Sequence, residues 1–398
     1  MRLPTVADVE RLLPAPDDFT SRARGPRTTA RVGTALGITF GICFLTGVWS
    51  HLQYDPPAWA PIGPDPVYLY RITQGLHIIT GVASIPLLLV KLWSAFPRLF
   101  IRPPLRPAGS ALVHLLERAS IAVLVAASIF MVASGLLNIA QWYPWDFSFR
   151  RTHEAMAWVL IGALLVHLAV KLPTIRAAYS AEGEPGDPED DPADPDDRDE
   201  DGPSRRTVVR AAGISAVVAG VLVAGQAVPG LRRVSLFAPR TSDGPQGLSV
   251  NRTARAAGVL ETAPSPDFVL ELVRGSRSVS LTRAELEALP QRTHVLPMAC
   301  VEGWSRDAEW TGVAVRDLVA MVGGDPDAAV AVTSLQTRGA FGTSELPGQF
   351  VADHRTLLAL RINGEELSHD HGFPCRIIAP NRPGVLQTKW VQRLEVRT

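Results

Sequence analysis

Pro297-Met-Ala-Cys300-Val-Glu-Gly-Trp-Ser305, followed by His371-Gly-Phe-Pro-Cys-Arg376 and then Thr388-Lys-Trp390, decides how this chain is read. A single thiol among small and turn-forming residues offers one soft ligand to a metal. Basic groups arriving later in sequence offer cations to phosphate oxygens. Together they suit a soft metal carried on an anionic organic cofactor. One cysteine alone is more often a buried free thiol; three such segments in this order favour a site. Cys375, inside the second segment, reads as a small core residue.

Working outward, the 398 residues carry 39 Lys and Arg against 39 Asp and Glu, and 46% are apolar. That average describes no part of the chain. Residues 1–172 are mostly long apolar runs, whereas 180–203 is dominated by Asp, Glu, Pro and Gly. The length accommodates a membrane bundle plus a soluble domain of ordinary size. Cys43, Cys300 and Cys375 are far apart and form no CxxC, so neither a disulfide framework nor a zinc site is suggested. No nucleic-acid partner is expected.

Five stretches are long and apolar enough to span a bilayer, at residues 32–49, 72–93, 112–139, 153–172 and 208–228. Arg22, Arg24, Arg27 and Arg31 precede the first, Lys91, Arg98, Arg102 and Arg106 separate the second from the third, and Lys171 and Arg176 follow the fourth. By the positive-inside rule these flanks are cytoplasmic. Tyr54, Trp59, Tyr68, Tyr70, Trp142, Tyr143 and Trp145 in the two opposite loops suit an interfacial belt. An odd number of spans then puts the C-terminal domain outside the cytoplasm.

The expected organisation is a cytoplasmic segment at 1–30, a four-helix membrane domain at 31–178, an acidic disordered cytoplasmic linker at 179–206, a tethering helix at 207–229 and a soluble domain at 240–398. Ser204-Arg-Arg-Thr-Val-Val-Arg210 before the fifth span looks like an internal twin-arginine export signal, a pathway that carries folded domains. The plainer reading keeps these arginines as cytoplasmic anchors.

Four histidines fall inside expected spans, where an ionisable side chain marks function by default. His153 and His167 are 167 − 153 = 14 residues apart, about 21 Å along a helix and close to four full turns, so they share a face. Depth pairs His77 with His153 and His114 with His167, each pair giving two axial nitrogens to a haem iron. A single intramembrane histidine more often serves a proton relay or an interhelical hydrogen bond. His51 is the fallback ligand. Gly47, Gly81, Gly135 and Gly162 offer porphyrin clearance, and Arg71, Arg150, Arg151, Arg118 and Lys171 are candidate propionate partners. Over residues 30–175 this arrangement resembles the di-haem b-type cytochrome subunits of quinone-linked membrane oxidoreductases. The resemblance implies two haem b groups and a quinone or quinol partner.

From residue 240 the pattern becomes short β-like runs, such as Phe268–Val273 and 376–379, with helices expected near Thr282–Leu289 and Val315–Met321. This is a mixed α+β domain. Val250-Asn-Arg-Thr253, Cys300-Val-Glu-Gly-Trp304, Trp310-Thr-Gly312, Asn363-Gly364, His371–Arg376 and Lys389-Trp390 resemble the molybdopterin-binding domain of the sulfite oxidase family, in its bacterial periplasmic, methionine-sulfoxide-reductase-like branch. The resemblance implies that Cys300 ligates molybdenum and that Asn251, His371, Arg376 and Lys389 hold the pterin and its phosphate. The Gly-Asn-Arg-Arg string that follows the cysteine in sulfite oxidases is absent, which weakens the case for a small dianion. Asn381-Arg-Pro-Gly384 replaces the usual Gly-rich turn and leaves Arg382 as an extra cation, and Phe341 stands where an aromatic with a hydroxyl is often found.

The fold expected is therefore multi-domain: an α-helical transmembrane bundle of four helices plus a fifth tethering helix, and a C-terminal α+β sulfite oxidase-like domain. The expected function is a membrane-bound, molybdopterin-dependent oxidoreductase linking the quinone pool to an extracytoplasmic substrate. Reduction of a small or protein-bound sulfoxide or N-oxide leads; oxidation of sulfite or another small donor is the second reading. A third keeps the cytochrome and makes the exterior domain a cofactor-free docking module. A transporter would show internal repeats and broken helices, which the sequence lacks.

Overall fold

The computed structural model describes residues 19, 21–97, 108–180, 203–238 and 244–397. Two compact units emerge, one formed by Met1–Phe44 with Ile79–Val221 and the other by Leu45–Ile78 with Leu222–Thr398.

Five long helices are described: α1 (Pro26–Tyr54), α2 (Leu69–Ala95), α3 (Ala108–Ile139), α4 (Phe149–Ser180) and α5 (Arg205–Ala224). All five are long and apolar enough to cross a membrane. Helices α1, α2, α3 and α4 extend beyond the expected spans, since each residue added to a formed helix adds a backbone hydrogen bond, whereas α5 ends at Ala224, short of the expected 228. Pro26 opens α1 at a position where its missing N–H is not required. In the first unit Val32, Leu36, Phe40, Leu87, Leu88, Ala127 and Leu160 pack into one buried cluster. Leu115, Leu165 and Val217 point outward, as a lipid-facing surface demands. The acidic linker lies outside the described residues, and the twin-arginine pair opens α5.

In the second unit ten strands form two five-stranded sheets among the described residues. The first has order β2 (Arg277–Thr282), β1 (Val269–Arg274), β10 (Val391–Val396), β5 (Val330–Ser334), β6 (Thr343–Leu346), with β1 and β10 parallel and the remainder antiparallel. In the second, β3 (Arg292–Ala299), β4 (Ser305–Ala314), β7 (Leu357–Ile362) and β8 (Glu365–Glu366) follow in order, and β9 (Arg376–Ile378) also pairs with β7. Short helices α6 (Ala254–Ala257), α7 (Arg283–Ala288), α8 (Val315–Met321) and α9 (Gly348–Val351) complete the α+β domain. Thr282 and Glu285 close a reciprocal capping box at α7. Leu357-Leu-Ala-Leu360 of β7 is buried on both faces, so it reads as a continuous apolar run rather than an alternating one. The expected helix at Val315–Met321 forms over those residues, and the other expected elements shift by a residue or so at their ends.

Candidate functional site

Cys300 sits in the turn joining β3 to β4. Its N–H donates to Trp304 O (2.9 Å), and Gly303 N–H donates back to Cys300 O (2.9 Å). Gly303 takes φ +93°, which favours glycine, and a Cβ there would stand 2.6 Å from Ile78 Cγ1. The thiol is buried in a cluster with Leu248, Met298, Trp304, Trp310 and Ile378. Burial first, and then the Glu302 carboxylate, push it well above its ordinary 9.0, with Lys389 acting the other way. A free nucleophilic cysteine needs the opposite environment. A coordinating metal, in contrast, deprotonates a thiol outright, so this environment suits a ligand.

The cations close in from three chain segments. His371 ends a 3-10 turn (His369–His371) capped by Ser368, and Gly372 follows at φ +111°. Arg376 begins β9, and its Nη1 donates to His371 O (3.0 Å) and its Nη2 to Gln387 O (3.1 Å). Its guanidinium also lies over the Trp310 ring, 5.2 Å from the centroid. Lys389 Nζ donates to Asp370 O (2.8 Å) and Arg252 O (2.9 Å), which brings the Asn251-Arg252 segment alongside. The Asn251 Oδ1 accepts from Arg252 N–H (2.9 Å). Arg382 donates to Leu386 O and Glu345 O and stacks over Phe350.

These groups are short of negative charge. Arg376 is 0% exposed and Lys389 8%, and among the described residues their hydrogen-bond partners are carbonyl oxygens and a thioether rather than carboxylates. Arg376 Nε has no hydrogen-bond partner among the described residues. Burial pushes Arg376 down to about 9 and Arg382 to about 10, while burial and then Arg376 drive Lys389 well below its ordinary 10.5. Unpaired buried charge costs several kcal/mol per ion, a cost that an anionic ligand removes. A phosphate-bearing pterin with a metal for Cys300 fits this donor set. His371 spends Nε2 on Pro245 O (2.7 Å), and burial pushes it down to about 4, so the neutral ring offers Nδ1 only as an acceptor.

The region matching an oxidoreductase molybdopterin binding domain is residues 262–398, and residues 34–172 match prokaryotic cytochrome b561. This chain therefore joins a cytochrome b561 domain to a molybdopterin-binding oxidoreductase domain. A putative protein-methionine-sulfoxide reductase subunit YedZ1 of Azospira oryzae is 33% identical over 115 residues, covering 29% of this chain and 43% of that protein. Mitochondrial sulfite oxidase of Drosophila melanogaster is 30% identical over 156 residues, covering 33% of this chain and 27% of that protein. The uncharacterized oxidoreductase YuiH of Bacillus subtilis is 29% identical over 116 residues, covering 29% and 57%. The chain thus spans less than two thirds of each of these relatives.

In the cytochrome b561 domain the histidines are placed as follows. His77 Nδ1 lies 3.2 Å from Thr46 Oγ1, and a Cβ at Gly47 would stand 3.3 Å from its Cε1. His153 Nδ1 lies 3.0 Å from Ser134 Oγ, with Gly135 alongside. A hydroxyl on Nδ1 orients such a ring. Gly47 and Gly135 therefore provide the clearance at a histidine; Gly81 instead faces Cys43, and Gly162 has open space around it. His167 shares α4 with His153 and lies within electrostatic reach of Lys91, Lys171 and Glu117. His114 is on α3, but its side chain lies outside the described residues.

Several side chains are engaged otherwise than the sequence suggests. Arg71, a candidate propionate partner, forms a forked pair with Asp307 (2.8 and 2.9 Å). Lys171 pairs with Glu117. Tyr70 is no belt residue: it is 1% exposed, whereas Trp59 is 83% exposed. Sequence reasoning also missed Gln74, whose Nε2 donates to Val301 O (3.2 Å), and the role of Asn381. Asn381 Oδ1 accepts from Tyr70 N–H (2.9 Å), its Nδ2 donates to Gly63 O (2.9 Å), and its own N–H donates to Val67 O (3.1 Å). The one advance signal was a glutamine amide inside an apolar helix.

Proposed function

We propose that this protein is a quinone-linked molybdopterin oxidoreductase that reduces a small neutral sulfoxide or N-oxide outside the cytoplasm. The observation that carries the reading is the convergence of one buried thiol, Cys300, with buried Arg376 and Lys389, whose hydrogen-bond partners among the described residues are carbonyl oxygens and a thioether. Cys300 would hold the molybdenum and Asn251, His371, Arg376 and Lys389 would surround the pterin and phosphate, and the cofactor when bound supplies oxygen-atom transfer. His77 with His153 and His114 with His167 would hold two haems b, which supply one-electron transfer. The balance is simple: one quinol gives two electrons and two protons, and the substrate oxygen leaves as water.

Glu302 favours a neutral substrate over sulfite. It is 7% exposed, two residues from Cys300, and its Oε2 accepts from Trp304 Nε1 (3.0 Å). A buried carboxylate beside the metal ligand repels a dianion. The likeness to the putative protein-methionine-sulfoxide reductase subunit of Azospira oryzae supports the reductase direction. Cys300→Ser should abolish turnover, with the haem spectrum intact; retained turnover would sink the molybdenum assignment.

A further inference from the structure

The turn that holds Cys300 is walled by the segment Gly63–Ile78 of its own compact unit. Gln74 donates to Val301 O, Ile78 packs on Gly303, and Val67 packs against the cluster containing Cys300 and Trp304. The Asn381 turn closes the other flank, since Ala299 bridges to Pro383 and a Cβ at Gly384 would lie 3.0 Å from Ala299 O. Tyr70 is one helical turn before Gln74, so both share a face of α2. Its backbone N–H is held by Asn381 and its side chain is 1% exposed, so Tyr70 belongs to this buried wall.

An apolar wall would be served by phenylalanine, because burying a hydroxyl is costly unless it has work as a donor. The Tyr70 hydroxyl is within electrostatic reach of Cys300, close to the hydroxyls of Ser50 and Tyr54. A second polar group stands on the same turn. Gln226, 4% exposed, accepts from Ser305 N–H through its backbone oxygen (2.8 Å), but neither its side-chain Oε1 nor its Nε2 has a hydrogen-bond partner among the described residues. Its Oε1 would be 3.4 Å from a Cβ at Gly303. The Tyr70 hydroxyl and the Gln226 amide have no geometric hydrogen-bond partner among the described residues, and buried polar atoms of this kind are ordinarily met by water or a polar ligand.

We propose that Tyr70 is a substrate-binding residue of the Cys300 site, its phenol donating a hydrogen bond to the oxo oxygen of a small neutral substrate. This rests on the reading under Proposed function and adds a residue from the cytochrome half to the substrate pocket.

The test compares full-length, cofactor-loaded Tyr70→Phe with wild type, using reduced viologen as donor and dimethyl sulfoxide as substrate. Molybdenum content and haem spectrum should be unchanged. The ratio kcat/KM should fall about tenfold, the value of one good hydrogen bond. An exchangeable-proton coupling in the pulsed-EPR spectrum of the molybdenum signal should disappear. Unchanged kcat/KM with an unchanged coupling overturns the proposal. Should Tyr70→Phe fail to load molybdenum, ring-deuterated tyrosine in a Tyr54→Phe background decides: deuteron couplings support the proposal, and their absence overturns it. A wild-type protein without molybdenum defeats the underlying reading and this proposal with it.

Discussion

Asn381→Ala tests whether the Cys300 turn depends on the helix segment packed against it. Asn381 is 2% exposed and has φ +51°, a left-handed conformation that asparagine tolerates better than alanine. Its Oδ1 accepts from Tyr70 N–H at the start of α2, acting as a helix cap supplied from 311 residues away. Removing the side chain deletes two hydrogen bonds of 2.9 Å, at about 1 kcal/mol each. The Gly63 carbonyl and Tyr70 N–H are left buried, which adds roughly 1 kcal/mol or more. Alanine at positive φ adds about 1 kcal/mol. The total is about 3–5 kcal/mol. Hydrogen exchange of peptides covering residues 62–78 should quicken by about a hundredfold to several thousandfold, because each 1.4 kcal/mol is tenfold. Asn381→Gly removes the same bonds without the strain and should be milder by about 1 kcal/mol. Exchange within threefold of wild type for Asn381→Ala, or a worse result for Asn381→Gly, would refute the reasoning.

Gly372→Ala should cost the protein its molybdenum. A Cβ at φ +111° would lie 3.1 Å from Lys389 Cβ and 3.2 Å from Arg376 Cβ, displacing both cations, and metal content by mass spectrometry reads the effect. His371 predicts a pH dependence for cofactor-free protein. Its folded value is about 4 against an ordinary 6.5, so the unfolded chain binds the extra proton between them. Stability should therefore be full above pH 6.5 and fall as pH drops toward 4, by up to about 3 kcal/mol. His371→Gln should flatten this part of the thermal-midpoint profile, and an unflattened profile would remove His371 from the account.

What the sequence makes legible here is what is encoded locally. Hydropathy marks α1 to α5 because a bilayer demands long apolar runs. Cys300, His371, Arg376 and Lys389 stand in short strings whose chemistry is visible without the fold. Burial is a different matter. Tyr70 reads as an interfacial aromatic because a tyrosine in a membrane loop has that role by default, whereas in the fold it is buried and its backbone is held by Asn381. Arg71 reads as a propionate partner until Asp307 takes it. The Asn381 turn reads as a degraded glycine turn, although its side chain is the group that joins the segments. Such contacts join residues 236 to 318 positions apart, beyond the reach of any periodicity. They have a functional consequence. Tyr70, Gln74 and His77 lie on one helix within seven residues, about 10 Å along its axis, and belong to the same compact unit as Cys300. On the proposed function, a separate cytochrome and molybdenum protein would have to collide in order to exchange electrons. Here a fixed contact takes the place of that collision, so the rate should not depend on protein concentration.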